Sequence, residues 1–128
     1  MQVSILASHV WTGKEMHELA ITEGIIEAAV PAAEKAGAKK ILEIRLKIGE
    51  LSGVFPECIK EYLDVIAKGT IAEGAVLKVE KIPVSIKCQS CAYEGTIERK
   101  QIGCPECGSL DFRITGGKEY FVDSLEVE

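Results

Sequence analysis

The chain has 128 residues and a mass of 13.9 kDa, which suits one compact domain or one domain with a small appended module. Its formal net charge is −5, and the four basic and four acidic side chains between positions 84 and 117 cancel, so no basic surface for nucleic acid is predicted. No apolar run is long enough for a membrane span, and the first ten residues lack the basic and apolar regions of a secretory signal. We therefore predict a cytoplasmic protein that binds neither nucleic acid nor membrane.

A long amphipathic segment at 16–37 predicts the first helix, with Gly37 as its C′ residue. Pro31 lies inside this segment. It removes one helical hydrogen bond and crowds the carbonyl group of Glu27, so we expect a kink or a break there. The predicted apolar stripe consists of Leu19, Ile26, Val30 and Ala33, widened by Ile21, Ile25 and Ala29.

Strand and helix patterns then alternate. Apolar and charged residues alternate at 41–48, the period of a half-buried strand. A second helix is predicted from Pro56 to about Lys68, ended by Gly69, and a second strand at 75–82. A strand–helix–strand crossover favours parallel pairing of these two strands. A last strand at 119–127 is predicted to place Phe121, Leu125 and Val127 on one face.

These elements predict an α+β fold: a small mixed β-sheet of about three strands with two helices, plus an inserted four-cysteine zinc-ribbon module. Residues 16–83 and 118–128 are expected to form the α/β domain, 84–117 the inserted module, and 1–15 an N-terminal extension. The module is too small for a large core, so we expect a metal ion to stabilise it instead.

Four cysteines, Cys88, Cys91, Cys104 and Cys107, form two C-x-x-C pairs separated by twelve residues. A two-residue gap lets a tight turn direct both thiolates of a pair at one point, and two such turns supply the tetrahedral sulfur ligands that Zn²⁺ accepts. Disulfides and a thioredoxin-like redox motif are the alternatives. The first needs an oxidising compartment, and the second does not explain two matched pairs. Because four thiolates saturate the ion, this zinc is predicted to be structural.

No catalytic site is predicted. No serine or cysteine nucleophile has a histidine that the sequence pairs with it, and no glycine-rich phosphate loop is present. Cys58, the fifth cysteine, is interpreted as a small buried or partly buried apolar residue in the second helix.

A second metal site is suggested by Met16-His17-Glu18. If translation began at Met16, the free α-amine, the amide nitrogen of His17 and its Nδ1 would close two fused chelate rings. Such nitrogen-rich planar donor sets suit Ni²⁺ or Cu²⁺, and Glu18 would supply a further donor or a charge.

Met16-His17-Glu18-Leu19-Ala20-Ile21 resembles the start of the HypA family of hydrogenase nickel-incorporation proteins, and 69–75, the paired cysteines and Gly117-Lys118-Glu119 resemble that family too. The resemblance implies a nickel metallochaperone, not an enzyme, that delivers exchangeable Ni²⁺ to the [NiFe]-hydrogenase large subunit precursor. It implies a HypB-type GTPase as partner and, in some organisms, service to urease. It also implies Met16, His17 and Glu18 as nickel ligands and the four paired cysteines as zinc ligands.

The sequence departs from the family in the fifteen residues before Met16, which leave Met16 without a free amine. Two interpretations are open: a misassigned start codon, or a genuine extension in which His17, Glu18 and His9 bind nickel. In the second case Thr12 and Glu15 fit a capping box that would start the helix upstream of Met16.

Two other functions also remain open at this point: a zinc-ribbon interaction adaptor without a nickel role, and a thiol-based redox sensor. An exposed strand edge together with the N-terminal arm would permit a homodimer.

Overall fold

The computed structural model describes residues 3–11, 18–98 and 100–128. These residues form a four-stranded sheet in the order β1-β7-β2-β3, a three-stranded sheet in the order β5-β4-β6, and two helices. Neither described helix is both long and apolar enough to cross a membrane. In chain order the elements are β1 (Val3–Trp11), α1 (Glu18–Lys35), β2 (Ile41–Gly49), α2 (Pro56–Ile66), β3 (Val76–Ile82), β4 (Val84–Cys88), β5 (Glu94–Ile97), β6 (Phe112–Gly116) and β7 (Tyr120–Val127).

The larger sheet is mixed, as the sequence predicts. β2 and β3 pair in parallel across the α2 crossover, with Glu43 opposite Val76 and Gly49 opposite Ile82. β7 returns from the inserted module and pairs antiparallel with β2, so it lies at the centre of the sheet rather than at its edge.

The fourth strand, β1, differs from the expectation of about three strands. Val3–Trp11, predicted only as an extension, pairs antiparallel with β7 from Val3↔Val127 to Trp11↔Tyr120. No period of two marks this segment clearly in the sequence. It pairs because β7 presents a free row of backbone donors and acceptors beside it.

Both helices contribute to one apolar core on the larger sheet. Ile21 and Ile25 of α1 and Ile59 and Leu63 of α2 are almost fully buried. Of the predicted α1 stripe, Leu19 is wrong, because it is 42% exposed, whereas the predicted residues Ile21, Ile25, Ala29 and Ala33 are buried. The sheet contributes Ile41, Ile44, Leu46, Ile48, Tyr120, Val122, Leu125 and Val127 to the same cluster.

Helix α1 continues through Pro31, so the expected break is absent. Pro31 is exposed. The C-terminus is as predicted: Gly37 has φ +77°, its N–H donates to the Glu34 carbonyl, and the N–H of Ala38 donates to the Ala33 carbonyl. This is a Schellman motif, which satisfies the last carbonyl groups of the helix.

One predicted face of β7 is wrong. Phe121 lies opposite Lys47 on the polar side of the sheet, while Leu125 and Val127 are buried in the core. The register between β2 and β7 shifts between Arg45 and Leu46, with Asp123 as the additional residue on β7. A bulge of this kind reverses the side-chain alternation, which a strict period of two cannot anticipate.

The two sheets meet where the inserted module leaves and rejoins the larger sheet. The N–H of Gly49 donates to the Glu119 carbonyl at 2.7 Å, and the N–H of Leu51 donates to the Gly117 carbonyl at 2.7 Å. The segment that follows β2 is therefore hydrogen-bonded to the segment by which the chain returns from the module.

Candidate metal centre

The two cysteine pairs adopt the same local structure. In the first, the N–H of Ser90 points at the Cys88 sulfur at 3.4 Å; in the second, the N–H of Glu106 points at the Cys104 sulfur at 3.4 Å. In each case the donor is two residues after the first cysteine. An amide aimed at a sulfur favours its thiolate form.

A second backbone contact repeats in both turns. The N–H of Cys88 donates to the Tyr93 carbonyl at 2.8 Å, and the N–H of Cys104 donates to the Ser109 carbonyl at 2.9 Å. Both bonds span five residues and close the turn behind the cysteine pair. The two turns are therefore near-equivalent halves of one site.

The four sulfur atoms of Cys88, Cys91, Cys104 and Cys107 converge, all lying within 4.8 Å of one another. Cys88 Sγ lies 3.7 Å from Cys107 Sγ, and Cys91 Sγ lies 3.6 Å from Cys104 Sγ. A tetrahedron with Zn–S bonds of about 2.3 Å has sulfur–sulfur edges of about 3.8 Å. The donor set and its spacing therefore fit Zn²⁺, and four sulfurs leave no coordination position for a substrate.

The ligand set is asymmetric in exposure. Cys88 and Cys104, the first residue of each pair, are buried, whereas Cys91 and Cys107 are exposed. An ion held between them would be shielded by protein on one side and near solvent on the other.

The thiols also differ in acidity. Burial raises the pKa of Cys88, but the backbone amides of Cys91 and Ser90 and the neighbouring thiols outweigh burial and lower it to about 7. For Cys91 the Tyr93 amide lowers the pKa, yet burial and the other three thiols dominate and raise it to about 12. Of these two thiols, Cys88 therefore becomes a thiolate more readily than Cys91.

The structure thus brings together the four cysteines that the sequence selects for zinc. Within the described residues 3–11, 18–98 and 100–128, no other group of three or more histidine, cysteine or acidic side chains is placed to hold a metal. Cys58 lies apart from the cluster, half-buried on α2.

Of the predicted nickel residues, Met16 and His17 lie outside the described residues, as do Thr12 and Glu15 of the predicted capping box. Glu18 is the first residue of α1, and its carbonyl group accepts a hydrogen bond of 2.6 Å from the Thr22 hydroxyl. Among the described side chains none forms an ion pair or hydrogen bond with its carboxylate. For His9 only the backbone is described, paired with Val122.

The start of α1 lies at the same end of the sheet as the junction with the zinc module. β1 ends at Trp11 opposite Tyr120, while β2 begins at the other end, where the N–H of Lys39 bonds the Glu128 carbonyl. Since α1 connects these two ends, Glu18 lies near the end at which β7 starts. No sequence pattern predicted this, because it depends on the order of the strands.

The family model described as "Hydrogenase/urease nickel incorporation, metallochaperone, hypA" matches residues 16–127. The chain belongs to the HypA family. The hydrogenase maturation factor HypA of Methanothermobacter thermautotrophicus is 39% identical over 120 residues, an alignment that covers 88% of this chain and 98% of that relative. Its counterpart in Geobacter sulfurreducens is 38% identical over 113 residues, covering 88% of this chain and all of the relative.

HypA structures share the fold. The solution structure of the nickel metallochaperone HypA from Helicobacter pylori matches with a TM-score of 0.63 at 24% identity, covering 88% of this chain and 97% of that one. A second solution structure, of a HypA protein, matches with a TM-score of 0.67. The family match begins at Met16, so β1 lies outside the part that defines the family.

Proposed function

We propose that this protein is a nickel metallochaperone that binds Ni²⁺ and delivers it for the maturation of [NiFe]-hydrogenase. The observation that carries the proposal is the family match over residues 16–127, with a fold shared by HypA structures. In this proposal the paired cysteines hold a permanent Zn²⁺, and Met16-His17-Glu18 holds the exchangeable nickel.

The zinc assignment is supported by the sulfur geometry. Edges of 3.6 and 3.7 Å fit tetrahedral thiolate ligation, and amides directed at Cys88 and Cys104 favour the charged sulfurs that a dication needs. We assign this ion a structural role, because a saturated thiolate site has no open position for exchange.

The nickel assignment is supported by donor chemistry. Delivery needs a labile site with few, exposed, non-thiolate donors, and an α-amine, an amide nitrogen and an imidazole form such a set for Ni²⁺. The Glu18 carboxylate at the start of α1 has no partner among the described side chains, so it is free to add a donor or a charge. The whole set is complete only if Met16 carries the amine.

The partners proposed are a HypB-type GTPase and the hydrogenase large subunit precursor, with urease as a further recipient class. The proposed compartment is the cytoplasm. We propose no catalytic activity for this chain, and nucleotide hydrolysis belongs to the partner.

Calorimetric titration of Ni²⁺ into three zinc-loaded proteins tests the nickel site: the 128-residue chain, a chain beginning at Met16, and the latter with His17→Ala. We expect the chain beginning at Met16 to bind most tightly and His17→Ala to lose at least about tenfold in affinity, since one chelate ring is removed. Cys58→Ser serves as the matched control and should not change nickel binding.

Equal affinity of the two unsubstituted chains would refute the role of the terminal amine. Unchanged binding in the His17→Ala variant would refute the nickel site as a whole.

A further inference from the structure

One edge of β7 is paired with β1. β7 is bonded on its other side to β2, and its side chains Val122 and Leu125 are completely buried in the core. Only β1 keeps the second side of this strand from being an open edge. The family match begins at Met16, and β1 precedes that point. Without β1, eight residues of a core strand would expose unpaired backbone groups, which favours addition of another strand.

The side-chain pattern of β7 is symmetric about its midpoint. The inward-facing residues are Tyr120 and Val122 before the bulge and Leu125 and Val127 after it. Because the bulge at Asp123 reverses the alternation, the order of inner and outer positions is the same when the strand is read backwards. A strand with this property can pair with a second copy of itself without a mismatch between the faces.

In such a pair, centred between Asp123 and Ser124, Val122 of one copy faces Leu125 of the other. On the polar side, Phe121 faces Glu126, and Asp123 faces Ser124, so no two like charges are directly opposed.

We infer that the β7 edge is a self-complementary docking surface for β7 of a second copy of this chain, and that β1 blocks it. Displacement or loss of β1 would convert the monomer into a two-fold symmetric dimer with one continuous six-stranded sheet, β3-β2-β7-β7-β2-β3. The two-fold axis is perpendicular to the sheet, so the α1 helices of both copies lie on the same face. α1 packs against β1. Loss of β1 therefore uncovers part of α1, and the second copy can pack against this part. The inference does not depend on nickel binding.

Sedimentation equilibrium of three zinc-loaded proteins tests it: the full chain, a chain of residues 16–128, and the full chain with Ser4→Pro and Ile5→Pro. Successive strand residues point their N–H groups in opposite directions, so the N–H group of either residue 4 or residue 5 faces β7. With proline at both positions, one hydrogen bond from β1 to β7 is lost in either case. We expect a monomer for the full chain and a doubled mass for the other two. Should the shortened chain not fold, the double-proline chain alone still decides.

Two substitutions at Phe121 in the dimeric proteins then identify the edge. Phe121→Glu places a carboxylate opposite Glu126 of the other copy at both symmetric positions, and we expect the mass to return to that of a monomer. Phe121→Lys is the matched control, since it places opposite charges there, and should preserve the doubled mass. In the monomer, Phe121→Glu faces Lys47, so folding is retained and circular dichroism should be unchanged. A mass that stays monomeric without β1, open-ended aggregation, or a dimer that survives Phe121→Glu would each overturn the inference.

Discussion

Gly49 and Gly117 hold the junction between the two sheets because neither has a side chain. A Cβ atom on Gly49 would lie 2.2 Å from the Gly117 carbonyl oxygen and 2.8 Å from the Glu119 carbonyl oxygen, both backbone atoms. Gly117 itself has φ +105°, and a Cβ there would lie 2.9 Å from the Val84 Cα. The backbones on either side of the junction can approach and hydrogen-bond only with glycine at these positions.

We predict that Gly49→Ala lowers the free energy of unfolding by about 3 kcal/mol, because the backbone cannot move away without breaking its own hydrogen bonds. Gly116→Ala is the matched control: its Cβ would meet side-chain atoms of Ser85 and Glu119 at ordinary contact distance, with 3.4 Å as the nearest approach. Urea unfolding of both variants measures the difference. Equal stabilities would show that the junction is not tightly packed.

The thiols of the cysteine cluster make zinc affinity depend on pH. Zinc must displace protons from thiols, so its apparent affinity falls as the pH falls. The pKa of Cys88 is lowered to about 7 by the amides and thiols around it, despite its burial. Above that value Cys88 is already a thiolate, and below it one more proton must be displaced.

We therefore predict that the apparent zinc affinity falls more steeply with pH below pH 7 than above it. The difference between the two slopes corresponds to about one additional proton displaced per zinc ion. Competition titrations with a chromogenic chelator between about pH 6 and about pH 8 measure the slope. Cys58→Ser, which removes the thiol outside the cluster, should leave the curve unchanged. A constant slope through neutrality would contradict the acidity assigned to Cys88.

At the scale of the element, α1 combines a boundary that the sequence predicted with an interior that it did not. Gly37 ends the helix in a Schellman motif, for which a positive φ is required. Pro31 was expected to kink or break it, and the break is absent because Ile25, Ala29 and Ala33 are buried on both sides of the proline. Burial of an apolar face outweighs the loss of one backbone bond.

Pro31→Ala tests that balance. Alanine restores an N–H that can donate to the Glu27 carbonyl and removes the steric conflict, and no packing is lost because Pro31 is exposed. We expect the free energy of unfolding to rise by about 1–2 kcal/mol, less than the full proline penalty because the unfolded chain also gains freedom. Thermal and urea unfolding measure it. A lower stability would mean that the proline is required where it lies.

At the scale of the whole molecule, the two sheets have separate interiors. The large apolar cluster is built from the two helices, the four-stranded sheet and the loops between them, while Val84, Ile86, Cys88 and Cys104 are buried in the small module. The module therefore has few apolar side chains of its own, and in the proposed function the zinc ion at its cysteines supplies the missing stability.

Removal of zinc should consequently unfold the module and leave the larger sheet intact. Ile86 and Ile44, both completely buried, report on the two parts separately. With a strong chelator, or with Cys104→Ser, we expect the methyl NMR signals of Ile86 to move to random-coil positions while those of Ile44 remain dispersed. Simultaneous loss of both signals would show that the two parts fold as a single unit.

Much of the candidate site could be predicted from the sequence. The spacing of Cys88, Cys91, Cys104 and Cys107 is a local property: a two-residue gap fixes the turn, and two such turns can meet only around a common centre. The alternation in β2 and the parallel pairing of β2 and β3 follow equally from short-range periodicity and chain connection. Met16, His17 and Glu18 were predicted as nickel ligands from their donor types and their order, and of these only Glu18 is described by the structure.

The features that no local pattern predicted depend on pairing between distant segments. The position of β1 on β7, the bulge that turns Phe121 to the polar side, and the contact of Gly49 with Gly117 all join residues far apart in the chain. Local patterns determine which residues prefer a strand, a turn or a metal. Register and close approach are set by the backbone hydrogen bonds and packing of the complete sheet, and these exist only once the chain has folded.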